Sequence, residues 1–151
     1  GGCGYDTKDF ETLFARGIQA ERLGKPDAVH FFLNAIKLYR GPFMAELPYD
    51  DWMVLAREHY MEIYVQCILK AAKLMAARGD MPGAVRLCRL GLVTDPHRED
   101  LHEACILHLL AAGRYRAAKR QFHSYRKMIC DELGVEPHFN FDLLLAETLT
   151  R

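Results

Sequence analysis

The stretch GDMPGAVRLC, residues 79–88, returns in altered form as GRYRAAKRQF, residues 113–122. Each copy opens with a glycine, has an alanine five residues later, and has a larger apolar residue four positions after that alanine. A glycine can end one helix in the left-handed conformation, and a small residue lets a second helix pack closely against the first. The two copies are 34 residues apart, and a third copy begins at Gly24 with a turn one residue shorter. The sequence therefore predicts repeated pairs of helices.

Apolar residues recur at helical spacing along almost the whole chain, and no segment alternates as a half-buried strand would. The pattern predicts an all-α fold of three helix pairs and a C-terminal capping helix that covers the helix before it, since a stack of repeats needs a cover. Asp6 and either Asp50 or Asp51 are expected to cap helices, and Pro26 is expected in a first turn. The predicted helices are 7–23, 26–39, 51–77, 82–93, 98–112, 114–131 and 139–149.

The segment YRGPFMAELPYDDW, residues 39–52, interrupts the repeat between the first and second pairs. Its two prolines restrict the backbone and so reduce the entropy lost when the segment becomes ordered. Its aromatic and apolar residues are expected to pack onto the first pair, which predicts a stiff structural insertion. The residues assigned to this structural loop are Gly41, Pro42, Phe43, Pro48, Tyr49 and Trp52.

Composition disfavours several classes of protein. The chain has 151 residues, half of them apolar, and a formal net charge of zero, so its bulk charge does not favour nucleic-acid binding. No apolar run approaches the length of about 20 residues that crosses a bilayer. The five cysteines form no CxxC pair, which favours reduced thiols in a cytoplasmic protein.

Catalytic and metal sites find little support in the sequence. His97, His102, Cys105 and His108 are close together in the chain, but His108 departs from the helical face that His102 and Cys105 share. The GxSxG, P-loop, GxGxxG and HExxH motifs are absent from the sequence. We therefore expect no catalytic residue, no bound metal and no cofactor, and we predict that the protein is not an enzyme.

A series of short motifs in a fixed order points to a family. RGxF and LPYxDW lie in residues 38–52, ARE is 56–58, DPxxExxH lies in 95–103, and GR and ELGxxP lie in 113–137. Over about residues 6–149 this series resembles the bacterial transcriptional activator domain. The resemblance implies a tetratricopeptide-like right-handed superhelix that makes regulatory contacts beside an N-terminal winged-helix DNA-binding domain.

The resemblance also suggests boundaries and partners. Residues 1–5 are predicted to be a disordered start or a remnant of cloning, and residues 6–151 to form the activator domain. No winged-helix pattern precedes Asp6, so contact with DNA is expected to be indirect, through a separate domain. The expected partner is that DNA-binding domain, a polymerase component or another regulator. A second copy of the chain is a further candidate, and no membrane partner is expected.

Stacked helix pairs create a concave face that is lined by the first helix of each pair. The residues placed there by the resemblance mix apolar and charged side chains, which suits an amphipathic helix or an extended peptide. Alternatively, helix 51–60 or the final helix of the same chain fills this groove. The candidate groove residues are Glu11, Phe14, Ile18, Glu21, Gln66, Leu69, Lys73, Asp100, Glu103, Leu107 and Leu110.

The predicted helix 114–131 has a basic side opposite its apolar side. This pattern favours a solvated outer face. An acidic partner surface, or phosphates beside a DNA-bound domain, are the alternatives. The candidate basic-face residues are Arg116, Lys119, Arg120, His123, Arg126 and Lys127.

The sequence thus predicts the regulatory protein-contact domain of a transcriptional activator. Two other classes stay open: a free-standing tetratricopeptide-like adaptor with no link to transcription, and a small-molecule sensor. An upstream winged-helix segment would exclude the adaptor. A rise in melting temperature caused by a ligand would support the sensor.

Overall fold

The computed structural model describes residues 7–40 and 51–150, with the backbone alone for Asp51 and Trp52. These residues contain seven α-helices and no β-strand, and none of the helices is long and apolar enough to cross a membrane. The chain divides into two compact units, Gly1–Ala71 and Ala72–Arg151. The helices are α1 (Thr7–Arg22), α2 (Ala28–Tyr39), α3 (Asp51–Ala77), α4 (Met81–Thr94), α5 (Glu99–Ala111), α6 (Tyr115–Leu133) and α7 (Phe141–Leu149).

The all-α fold and its arrangement in helix pairs are confirmed. Gly24, Gly79 and Gly113 follow α1, α3 and α5 with φ of 67°, 88° and 76°, a conformation that other residues rarely adopt. The alanines at the repeat position after these glycines are at most 1% exposed, so the second helix of each pair is tightly packed. These alanines are Ala28, Ala84 and Ala118. The right-handed superhelical course through both units stays a prediction.

The start of α2 differs from the prediction. The helix begins at Ala28 and not at Pro26, because the backbone N–H of Ala28 donates to the Lys25 carbonyl oxygen in a turn, over 3.3 Å. Pro26 therefore lies in the turn before the helix. The caps predicted for α1 and α3 lie outside the described side chains.

The C-terminal boundaries also shift. α6 continues to Leu133 and ends where Gly134 adopts a left-handed φ of 67°. α7 begins at Phe141, because the Asn140 side chain accepts a hydrogen bond from the Leu143 N–H over 3.1 Å and so caps the helix. The segment between α6 and α7 thus keeps its predicted length of seven residues and lies two residues further along the chain.

The first unit has an aromatic core. Phe10 of α1, Phe32 of α2 and Tyr64 of α3 are completely buried. The rings of Tyr39 and Tyr64 stack with centroids 4.1 Å apart. Gly17 leaves room for the Phe32 ring, since a Cβ at this position would lie 2.5 Å from it. α1 and α2 therefore pack at a distance that a larger residue at position 17 would prevent.

The second unit has an aliphatic core. α4 packs against α5, and α5 packs against both α6 and α7. The final helix thus lies mainly on α5, whereas the sequence placed it over α6. Its contact with α6 comes from Phe141, whose ring centroid is 5.6 Å from that of Phe122. The core residues are Ala72, Ala84, Val85, Cys88, Cys105, Ile106, Leu109, Leu110, Ala117, Ala118, Phe141 and Leu144.

Candidate functional site

A row of exposed basic side chains runs along α6. Arg116, Lys119, Arg120 and His123 are called the basic row below. Arg116 is three and four residues before Lys119 and Arg120, and His123 is four and three residues after them, so all four share one side of the helix. All four are exposed. The opposite side of α6 is buried in the core of the second unit, through residues that include Ala118. α6 is therefore amphipathic, with the basic row toward solvent.

The other two residues of the predicted basic face form ion pairs. The Arg126 guanidinium donates two hydrogen bonds to the Glu136 carboxylate, of 2.8 Å and 3.2 Å. Lys127 Nζ donates to Asp131 Oδ2 over 2.7 Å. Exposed pairs of this kind add little stability, but they compensate the charge of both cations. Among the described side chains of residues 7–40 and 51–150, no carboxylate lies within 4.0 Å of a cation of the basic row.

A depression of about 510 Å³ opens between α6 and residues 136–142. Its apolar lining comes from Phe122, Phe139 and Phe141, and we call it the phenylalanine pocket. The Phe122 ring centroid is 5.6 Å from the centroids of both other rings. Phe122 and Phe139 are half-buried, so apolar surface remains open there. The other lining residues are Lys119, His123, Arg126, Glu136, Pro137, Asn140 and Asp142.

The phenylalanine pocket continues into the basic row. A second depression is lined by the four residues of the row together with Ser124. Lys119 and His123 line this depression and the phenylalanine pocket alike. The phenylalanine pocket, whose rings lie among charged and polar side chains, and the basic row therefore form one continuous surface of the second unit.

The Glu99 carboxylate joins three segments behind this surface. Tyr125 Oη donates to Glu99 Oε1 over 2.7 Å, and the His138 backbone N–H donates to the same oxygen over 3.1 Å. Burial by itself raises the pKa of Glu99, but the hydrogen bonds from Tyr125 and His138 outweigh it, and the pKa is lowered. Burial and the bond to Glu99 raise the pKa of Tyr125. The ionised Glu99 thus holds residues 134–140 against α5 and α6.

His102 makes a second connection between α5 and α6. Its Nε2 lies 2.7 Å from the Pro96 carbonyl oxygen, and its Nδ1 lies 2.8 Å from Gln121 Nε2. These partners assign a neutral ring that donates from Nε2 and accepts at Nδ1. Burial lowers the pKa of His102, in agreement with this neutral form. The ring also stacks on Tyr125, with centroids 4.2 Å apart, so both connections converge on that residue.

Glu99 and His102 of the DPxxExxH motif make these connections through their side chains, and Pro96 contributes its backbone carbonyl oxygen. A comparison with models of known protein families matches residues 5–147 to the bacterial transcriptional activator domain. The chain belongs to this family. The resemblance found in the motifs is thereby confirmed, and the chain is a regulatory domain of the transcriptional-activator type, from a family of regulatory domains and not of enzymes. A comparison with curated protein sequences gave no match.

Part of the groove predicted for the activator domain lies in the first unit. Glu21 of α1 accepts a hydrogen bond from Lys70 Nζ over 3.0 Å. Gln66 of α3 donates to Glu62 over 3.1 Å. Apart from the exposed Glu11, the predicted residues here are half-buried. They are Phe14, Ile18, Glu21, Gln66 and Leu69.

The remaining groove residues lie in the second unit, and one of them is corrected. Leu110 is 1% exposed and belongs to the hydrophobic core, so its side chain is not available to a ligand. Leu107 is half-buried against the same core. Asp100 is bound by Arg98 over 2.9 Å, and burial raises the pKa of Glu103. Lys73 is exposed. A single groove along both units stays a prediction.

The predicted structural loop lies almost entirely outside the described residues. This holds for Gly41, Pro42, Phe43, Pro48 and Tyr49. Trp52 lies in the first turn of α3, and its side chain is not among those described. The assignment of these residues as a brace for the first helix pair stays a prediction.

His102 and the buried cysteines take part in hydrogen bonds or in core packing. Within the described ranges, no three His, Cys, Asp or Glu side chains are grouped as a metal ion would require. His102 uses both ring nitrogens in hydrogen bonds, and Cys105 is completely buried. Burial raises the pKa of Cys67 and of Cys88 to about 12, so both thiols are protonated at neutral pH and unreactive.

Sequence reasoning missed the residues that position α6. Tyr125 lies on the side of α6 that helical spacing makes apolar, which predicts packing alone, and no sequence pattern points to Gln121 or His138. One signal was present: Glu99 and His102 are three residues apart, which puts both on one side of α5. The pairing of that side with α6 requires the tertiary structure, since His138 is 39 residues from Glu99.

Proposed function

We propose that this domain is the protein-contact module of a transcriptional activator and that α6 carries its contact surface. The observation that supports the proposal is the basic row, whose cations Arg116, Lys119 and Arg120 are exposed and have no carboxylate within 4.0 Å in the described part of the chain. Uncompensated charge of one sign accelerates association with a partner of opposite charge and disfavours other partners.

The surroundings of the row support a role in positioning. Tyr125 and Gln121 attach α6 to α5 through hydrogen bonds of 2.7 Å and 2.8 Å, so the row is carried on a braced helix. A partner bound there would be held in a set orientation. Such a partner is the activator's own DNA-binding domain, a polymerase component or another regulator, all of which act in the bacterial cytoplasm. An effector would change the populations of bound and free arrangements.

A tethering experiment tests this proposal. The domain is joined to an unrelated DNA-binding domain, and transcription is measured from a weak bacterial promoter with the matching operator upstream. We expect the tethered domain to raise transcription. Reversal of the row in the triple variant Arg116→Glu, Lys119→Glu, Arg120→Glu is expected to remove the increase, because a complementary acidic partner is then repelled.

The matched control reverses three exposed cations of the first unit, Lys8, Arg16 and Lys37, and so changes the net charge by the same amount. This control is expected to activate as the parent does. Equal activation by the row variant and the parent would refute the proposal that α6 carries the contact surface. No activation by the parent domain would refute contact with a polymerase component or another regulator and would leave the activator's own DNA-binding domain as the partner.

A further inference from the structure

We infer that the phenylalanine pocket and the basic row together bind an acidic peptide segment that inserts one apolar side chain. This inference rests on the proposed function in one respect, namely that the segment belongs to a protein partner. It adds the chemical class of that partner and the position of its anchor. The pocket would receive the apolar side chain, and the row would bind carboxylates that follow the anchor along the peptide.

The pocket has the properties of an anchor site. Three phenylalanine rings line a volume of about 510 Å³, and two of the rings are only half-buried. Binding energy at protein contacts is concentrated in a few side chains that fill well-packed pockets from which water is excluded. Phe141 and Phe122 belong to packed helices, and the Phe139 ring lies parallel to that of Tyr125 with centroids 6.2 Å apart. The lining is therefore held by the same residues that brace α6.

The charges differ between the two ends of the pocket, and this difference would set the orientation of a bound peptide. At the end of the pocket formed by residues 136–142, Arg126 is neutralised by Glu136. At the other end, Lys119 and His123 lead into the second depression, where no acid is among the lining residues. From Arg116 to His123 the row extends about 10 Å along the helix axis. Carboxylates on one side of the anchor, spread over about two helical turns, would match this distribution.

The same charges disfavour nucleic acid as the occupant. A DNA backbone could neutralise the basic row, but it has no aliphatic or aromatic side chain to fill the pocket. Asp142 lines the pocket, and its negative charge would repel phosphates there, whereas the charge of Glu136 is compensated by Arg126. The depression that all four residues of the row line has no aromatic residue on which a base could stack, and the exposed Tyr115 lines only a neighbouring depression, beside Arg116 and Arg120. The combination of a pocket that contains three phenylalanine rings and a basic row favours a peptide that has one apolar side chain and a run of carboxylates.

Fluorescence anisotropy with defined probes tests the inference. The probe is a short fluorescein-labelled peptide with one leucine beside a run of aspartates. The comparison peptide has serine in place of the leucine and the same charge. We expect the serine peptide to bind about 10- to 100-fold more weakly, as the loss of one buried aliphatic side chain implies. A fluorescein-labelled DNA duplex, titrated at the same salt concentration, is expected to bind more weakly than the leucine peptide.

Two variants locate the binding. Lys119→Glu alters an exposed side chain that lines both parts of the surface, and Phe139→Ala removes one side of the pocket. Lys119→Glu is expected to weaken both peptides. Phe139→Ala is expected to weaken the leucine peptide and to leave the serine peptide unchanged. Lys8→Glu is the charge control, and thermal unfolding by circular dichroism verifies that each variant is folded. If Phe139→Ala is unfolded, amide shifts of the parent at residues 119–123 and 139–142 report the site instead.

Several outcomes would overturn the inference. Equal affinity for the leucine and serine peptides, or tighter binding of duplex DNA, would show a charged surface without an anchor site. Amide shifts that grow with protein concentration in the absence of peptide would show a second copy of the chain on this surface. The tethering experiment tests the proposed function separately. If the domain binds no acidic peptide but still activates transcription through the basic row, the peptide inference is wrong and the proposed function stands.

Discussion

Replacement of Tyr125 with phenylalanine removes a single hydroxyl where α5, α6 and residues 134–140 meet. The Tyr125 side chain is 3% exposed and donates over 2.7 Å to Glu99, whose side chain is 25% exposed. A hydrogen bond to a charged group contributes about 1.5–3 kcal/mol. The ring and its stacking on His102 and Phe139 remain. We therefore expect Tyr125→Phe to lower the free energy of unfolding by about 2 kcal/mol at neutral pH.

The effect of Tyr125→Phe is expected to depend on pH. The pKa of Glu99 is lower in the folded than in the unfolded chain, so its stabilising effect is complete above the ordinary value of 4.5 and is lost as the pH falls through the folded-state pKa. The difference in free energy of unfolding between the parent and Tyr125→Phe should therefore decrease as the pH falls below 4.5. Folding raises the pKa of Tyr125. The free energy of unfolding of the parent therefore falls above about pH 10, where the tyrosine of the unfolded chain ionises.

Urea unfolding followed by far-UV circular dichroism measures the change in stability. Tyr115→Phe is the control on the same helix, because Tyr115 is 44% exposed. Amide hydrogen exchange gives a local measurement, since the His138 N–H donates to Glu99 over 3.1 Å and should exchange faster in Tyr125→Phe. If the unfolding curves of Tyr125→Phe and Tyr115→Phe coincide at neutral pH, the Glu99 connection does not stabilise the second unit.

Three further predictions concern local packing, capping and thiol exposure. Gly17→Ala should destabilise the first unit by about 1–3 kcal/mol, because the new methyl group overlaps the Phe32 ring, whereas Gly→Ala in an unobstructed helix stabilises by about 1 kcal/mol. A higher urea midpoint for this variant would contradict the packing. Asp80→Ala should cost about 1 kcal/mol in the same assay, since Asp80 accepts the Gly83 N–H of α4 over 2.9 Å. In peptide mass spectrometry after alkylation, exposed Cys130 should be modified in the folded protein, and modification without urea of the buried thiols would contradict their burial. Those thiols are Cys67, Cys88 and Cys105.

The sequence determined the helices and the family of this protein. The glycine and alanine pattern located the helix pairs because both of its features are local. The glycine forms a turn with positive φ, and the alanine a few residues later allows a tight contact between helices. The apolar spacing located each end of the seven described helices to within two residues, since helical periodicity is a local property. The ordered motifs identified the bacterial transcriptional activator domain over the range that the family comparison matches.

The packing of the helices in three dimensions establishes which polar groups meet and which side chains remain exposed. Leu110 was predicted in a groove and is buried, because helical spacing defines the sides of a helix but not the neighbour that covers each side. The phenylalanine pocket combines Phe122 with two rings from a segment that begins after α6 ends. The bond from His138 to Glu99 spans 39 residues. Such contacts depend on how the helices pack and how far side chains extend between them, and neither is encoded in local spacing.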